Sequence, residues 1–342
     1  MKKSLRMIHV MSSLVLLLTA CGPVTPAPTP TPLSTATPAP SPISLSDPQR
    51  YLSDALDIIQ KNALNRNKVD WVKIRAVALS LEKDAKTPAD TYDTIISVLQ
   101  LLRDHHSFFM TPEKAKQMND STAEDYPAPQ GKLLENRIGY VAVFGFLAQK
   151  PDEMNKYANK IQNIIIELDK KSVCGWIVDL QEDTGGNMYP MIAGLGALIG
   201  EGELGSFKDT QDQTYDWYYR DGYSGAGNTP VAKVSKPEFL LNPDETPVAV
   251  LIGRRTASSG EITAISFQGR TNTRFFGRPS AGLTTSNRLF TLNDGAIILL
   301  TTAVDLDRTG RKYGGSITPD VETPQPESDA AAWLLAQPAC KK

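Results

Sequence analysis

Val248-Ala249-Val250-Leu251-Ile252-Gly253-Arg254-Arg255-Thr256-Ala257-Ser258-Ser259-Gly260-Glu261 reads as a strand, a tight turn and the opening of a helix that begins at Glu261. The run from Val248 to Gly253 is apolar and strand-like. A serine at such a turn projects its hydroxyl from the top of the sheet. The first amides of the following helix have no intrahelical partner and can receive a developing oxyanion. Ser258 and Glu261 also fit a capping box, in which the serine merely satisfies the helix N-terminus. The turn alone does not choose between these readings.

Working outward, the same pattern recurs. Gly175-Trp176-Ile177-Val178-Asp179-Leu180 is a second apolar run, broken by Thr184-Gly185-Gly186-Asn187 and followed by a helical stretch from Met188 to Ile199. Upstream, Ile138 to Leu147 is β-like, and Tyr157, Ile161, Ile164 and Leu168 fall on one helix face. Downstream, Phe275 to Gly277 suits another strand, and Arg288 to Leu292 with Ala296 to Thr302 form a hairpin around Asn293-Asp294-Gly295. The alternation predicts an α/β fold, a β/α core over residues 131–342 with some antiparallel pairing. Residues 201–245 interrupt it as a polar insertion whose Tyr215, Trp217, Tyr218, Tyr219 and Tyr223 either line a cleft or pack a hairpin.

Residues 47–130 read differently, as a helical subdomain. Asp47-Pro48 caps a helix carrying Leu52, Leu56, Ile59 and Ala63 on one face. A second runs from Asp70 through Trp71, Ile74, Ala78 and Leu81, and Thr87-Pro88-Ala89-Asp90 opens a third that ends at Asp104-His105-His106-Ser107.

The N-terminus sets the compartment. Lys2, Lys3 and Arg6, a short apolar stretch from Met7 to Leu18, and Leu18-Thr19-Ala20-Cys21 resemble a bacterial lipoprotein signal over residues 1–20, with lipid added at Cys21; the plainer reading is a secretory signal followed by a chance cysteine, and either one exports the chain. The Pro/Thr-rich residues 21–46 cannot bury apolar area and read as a semi-rigid spacer. The chain is therefore expected in the cell envelope, anchored to a membrane by lipid and facing its extracytoplasmic side. Cys174 and Cys340 remain in a compartment where a disulfide persists, and are either paired or two buried thiols. A net charge of −2 with interspersed signs argues against a nucleic-acid partner.

Few bases are available to activate Ser258. The sequence has three histidines, His9 in the signal and the adjacent His105 and His106. An α/β-hydrolase takes its histidine after the serine, and none follows His106. A Ser/Lys dyad lacks a lysine between Lys236 and Lys312, and adjacent histidines without H-E-x-x-H spacing are a weak zinc set. No metal or cofactor is expected. Each remaining feature has an ordinary reading too: His105 and His106 as favourable charges at a helix C-terminus, Gly185-Gly186 as a tight turn.

Five segments in order resemble the C-terminal processing (tail-specific) serine peptidase family, in particular its shorter branch without a PDZ domain, that of the nisin-resistance protein. They are Leu102-Arg103-Asp104-His105-His106-Ser107-Phe108, Asp179 to Met191, Thr256 to Glu261, Pro279-Ser280-Ala281-Gly282-Leu283, and Asp307-Arg308-Thr309-Gly310 to Pro319-Asp320. The resemblance implies a helical subdomain on a crotonase-like β/α core with a mixed sheet. It implies Ser258 as nucleophile, His106 rather than His105 as base, and an oxyanion hole from the backbone of Gly185, Gly186 and Ser259. Leu283 stands about where Lys-dependent members carry their lysine, so this chain departs from that pattern. Asp305 and Asp307 resemble acidic third members of related peptidases, but solvated loop acids are the simpler reading, and both stay outside the catalytic set. The function implied is a serine endopeptidase that cuts peptides or unfolded tails by acyl transfer. The alternative is a non-catalytic lipoprotein that binds a peptide or small ligand in the same cleft.

Overall fold

The structure, a computed structural model, describes residues 47–135 and 137–341. Residues 1–46, read above as a signal, the lipidation site Cys21 and a spacer, lie outside the described residues. In chain order the elements are α1 (Asp47–Asn62), α2 (Trp71–Leu81), α3 (Tyr92–Leu101), β1 (Phe108–Met110), α4 (Pro112–Asp120), β2 (Gln130–Leu134), β3 (Ile138–Ala142), α5 (Pro151–Asp169), β4 (Gly175–Asp179), α6 (Met188–Ile199), β5 (Gly202–Asp209), β6 (Thr214–Arg220), β7 (Tyr223–Ala226), β8 (Thr229–Lys233), β9 (Val248–Ile252), α7 (Ser259–Ile265), β10 (Thr273–Gly277), β11 (Thr285–Thr291), β12 (Ile297–Asp307), β13 (Val321–Glu322) and α8 (Pro326–Leu335).

Two sheets organise them. The first runs β13-β10-β9-β4-β3-β2, parallel except for β2, which pairs antiparallel with β3. Alternate residues of its central strands bury on opposite faces, as the two-residue period of a strand requires. Val248, Val250, Ile252, Trp176 and Val178 join the α5 and α6 side chains on one face. Ala249, Leu251 and Ile177 join Ala330 and Leu334 of α8 on the other. The second sheet is antiparallel, β1-β12-β5-β6-β7-β8, with β11 also paired to β12. The fold is thus a mixed α/β architecture.

Residues 201–245 turn out to be built into this second sheet. They form the meander β5 to β8, and Trp217 and Tyr219 are fully buried in the main core, so these aromatics act as packing. The helices of the N-terminal segment close over the hairpin: Leu52, Leu56, Ile59, Ile95 and Leu99 share a core with Leu292, Ile298 and Leu300. The third helix begins after a 3-10 turn at Pro88–Thr91, because Asp90 accepts from the amides of both Lys86 and Thr87 and tightens the first turn. It ends at Leu101, earlier than the pattern predicts. Cys174, just before β4, and Cys340 near the C-terminus form a disulfide.

Candidate active site

The turn after β9 is held from inside. Thr256 Oγ1 donates to the Leu180 carbonyl at 2.8 Å and accepts from the Gly253 amide at 2.9 Å, and the Ala257 amide donates to the Asp183 carbonyl at 3.0 Å. Ser258 then adopts φ 53° and ψ −117°, a region that non-glycine residues rarely visit. Helix α7 starts at the next residue, two earlier than the sequence pattern suggests. The Glu261 carboxylate provides the capping interaction, accepting from the Ser258 amide at 2.9 Å. The Ser258 hydroxyl is left facing His106.

His106 comes from a turn shaped by Asp104. Its carboxylate accepts from the amides of His106 (3.0 Å) and Ser107 (2.7 Å), while Arg103 and His105 take positive φ. His105 points to solvent and His106 inward, 6% exposed. Asn287 Nδ2 donates to the His106 carbonyl at 2.8 Å. His106 Nε2 lies 2.8 Å from Ser258 Oγ, across 152 residues of sequence, and Nδ1 lies 2.8 Å from Thr285 Oγ1. When Nδ1 carries the proton and donates to Thr285, Nε2 is free to accept from Ser258. Burial pushes the imidazole down to about 4, an effect that Asp104 partly opposes. His106 is therefore neutral, the form a base requires.

The diglycine segment borders the serine. Gly185 and Gly186 have φ of 95° and 117°, and a Cβ on Gly185 would fall 2.6 Å from the Ala257 carbonyl, so only glycine fits. The Gly185 amide is engaged, donating to Asp183 Oδ1 at 3.0 Å. Gly186 lines the cleft with Ser258 and Ser259, and Ser259 Oγ donates to its carbonyl at 2.7 Å. The Asp183 side chain is fully buried, its Oδ2 lacks a partner among the described residues, and burial pushes its pKa up to about 8. It stands as a neutral acid behind the turn.

Thr285 is the contact that sequence reasoning missed. Its only signal was its place at the start of the hairpin, two residues after Leu283 in a quoted segment. Asp305 and Asp307, read as solvated loop acids, are buried on β12 instead, 0% and 5% exposed. Neither is among the hydrogen-bond partners of His106: Asp307 accepts from Thr309 and Tyr313, while both carboxyl oxygens of Asp305 are without a partner among the described residues. The cleft over Ser258 has a volume of about 490 Å³, and among the described residues no Asp, Glu, Lys or Arg lines it. A larger cavity of about 690 Å³ between α2 and α3 is lined by neither Ser258 nor His106. No group of acidic, histidine and cysteine side chains among the described residues is arranged to hold a metal.

The profile of peptidase family S41 matches residues 137–323, more than half of the 342. The nisin-resistance protein of Lactococcus lactis subsp. lactis is 28% identical over 291 residues, 85% of this chain and 88% of that one. A carboxy-terminal-processing protease of Bartonella bacilliformis is 25% identical over 194 residues, 56% of this chain and 40% of its own length. Among solved structures, a lipoprotein from Streptococcus agalactiae superposes with a TM-score of 0.73 at 28% identity, covering 86% of this chain and 99% of that one. A photosystem II D1 C-terminal processing protease, at 15% identity and a TM-score of 0.56, shares the fold over 87% of this chain and 99% of its own.

Proposed function

Because the chain belongs to peptidase family S41, we propose that it is a lipid-anchored serine endopeptidase of the bacterial cell envelope, with Ser258 as nucleophile and His106 as base. The observation that carries this reading is the 2.8 Å approach of His106 Nε2 to Ser258 Oγ. Ser258 Oγ attacks the scissile carbonyl as its proton passes to Nε2. The resulting oxyanion is received by the amides of Gly186 and Ser259, with Gly185 shaping the turn. Collapse transfers the proton from His106 to the leaving amine and leaves an acyl-Ser258 ester. Water, deprotonated by the same imidazole, then releases the acid and restores the serine.

Thr285 holds the imidazole in the tautomer that this sequence of steps needs, in the place where other triads carry a carboxylate. The relation to a nisin-resistance protein supports exported antimicrobial peptides as one substrate group. The signal-like residues 1–20 and Cys21 support attachment to the membrane, with residues 21–46 as the tether. No described helix is long and apolar enough to cross a membrane.

The test is degradation of a mixed unfolded-peptide library by the full-length chain. Ser258→Ala and His106→Ala should each lower the rate by about 10³-fold or more, while His105→Ala should be mild. Equal cleavage by the parent and both variants would remove the pair. For the anchor, Cys21→Ser should release the protein from membranes, and unchanged retention would defeat that part.

A further inference from the structure

The sheet that carries the imidazole also offers an apolar row to the cleft. Phe108 of β1 lies opposite Leu299 of β12, and Leu299 lies opposite Leu289 of β11. Residues paired directly across strands share a face, so the three side chains form one continuous ladder. Their neighbours Phe109, Ile298 and Phe290 turn to the other face and pack under the helices. An antiparallel sheet with one face on a core ordinarily presents polar residues on the other. Here Phe108 and Leu289 remain 46% and 50% exposed on it, and all three residues line the cleft containing Ser258.

The opposite wall has the same character. Leu147, 44% exposed, also lines the cleft, and a Cβ on Gly186 would stand 3.2 Å from Leu147 Cγ, so this leucine sits against the diglycine turn. Phe108, Leu147 and Leu299 in addition line an adjoining cavity of about 830 Å³, which Lys114, Asp120 and Asp125 also border, so the uncharged part of the surface is the part over Ser258. Exposed apolar groups gathered in one place mark an interaction surface. With no described Asp, Glu, Lys or Arg lining the cleft, an ionic side chain entering it would be desolvated without a partner.

We infer that the ladder Phe108–Leu299–Leu289, faced by Leu147, is a substrate subsite that takes a bulky uncharged side chain of the peptide being cut. The inference rests on the peptidase reading above. It makes Leu289 a specificity-determining residue that is held two-thirds of a hairpin strand away from Thr285 and so does not touch the reacting atoms.

The experiment uses the full-length chain in detergent and a peptide library read by mass spectrometry, with Leu289→Lys and, as a second variant, Phe108→Lys. Cut sites of the parent should be enriched in apolar residues at one position. In Leu289→Lys the preference at that position should move toward Asp and Glu, with kcat/KM for matched acidic and apolar peptides changing by roughly tenfold relative to each other. Cut-site profiles that are the same in the parent and both lysine variants would overturn the subsite while leaving the peptidase reading in place. Cleavage that survives Ser258→Ala unchanged would remove the inference together with its premise.

Discussion

Thr285 Oγ1 stands 2.8 Å from Nδ1 of His106, on the opposite side of the ring from Ser258, so a neutral hydroxyl fixes the imidazole. Thr285→Val should lower kcat by about tenfold to a hundredfold with KM little changed, since the loss falls on general-base catalysis, and Thr285→Ser should restore most of it. A purely structural threonine would show no such rescue.

Burial, only partly opposed by Asp104, holds the His106 imidazole near 4, and its neutral partner Thr285 adds no charge to raise it. The base is active when unprotonated, so kcat/KM should hold as pH falls through 6 and decline only toward 4. Thr285→Asp places an anion beside the ring, favours the imidazolium and should move that acid limb upward by roughly one to three pH units. The pH profile of kcat/KM measures both, and an unshifted limb in the aspartate variant would refute the contact.

Glu261 ties the nucleophile to the loop before the hairpin. Fully buried, it accepts from the amides of Ser258 (2.9 Å), Gly282 (2.8 Å) and Leu283 (2.7 Å) and from the Ser280 hydroxyl. Glu261→Ala strands these donors in the interior and should cost about 3 kcal/mol or more, read from the urea midpoint. Activity should fall beyond the loss of folded protein, because the Ser258 amide loses its clamp.

Asp183 should give the protein an alkaline weakness. Its folded pKa of about 8 lies above the unfolded 3.8, so the folded state holds the extra proton between those values. Stability is full below about pH 4 and is lost as pH rises toward 8. Asp183→Asn cannot ionise, and its thermal midpoint relative to the parent should climb over that window. A difference that stays flat with pH would contradict the buried neutral acid.

The disulfide joins residues 166 apart in sequence and ties the C-terminal tail beneath β4. Closing a loop of that size restricts the unfolded chain, so Cys174→Ser with Cys340→Ser should lose about 2–5 kcal/mol in denaturant. Peptide cleavage by the remaining folded fraction should be unchanged.

The strand, turn and helix around Ser258 were legible because three local constraints converge there: an apolar run, a serine, and a glutamate at capping distance. His106 and the diglycine segment were legible through motif order together with the scarcity of histidines. Thr285 was not, because a threonine opening a strand is what β propensity already explains. The burial of Asp305 also escaped, since no one-dimensional pattern marks an acid that lacks a partner. For Tyr218 and Tyr219 the sequence left cleft lining and hairpin packing both open, and the meander decides for packing because strand pairing sets their burial. The apolar ladder needed the register itself: Phe108, Leu289 and Leu299 become neighbours only once β1 and β11 flank β12.

The 152 residues between imidazole and hydroxyl carry a consequence for biosynthesis. A chain made from its N-terminus presents His106 early, Ser258 late and Thr285 later still. Under the proposed assignment, a product truncated before Ser258 holds an imidazole with no hydroxyl to meet it, so the pair exists only in a chain that has been made past Ser258.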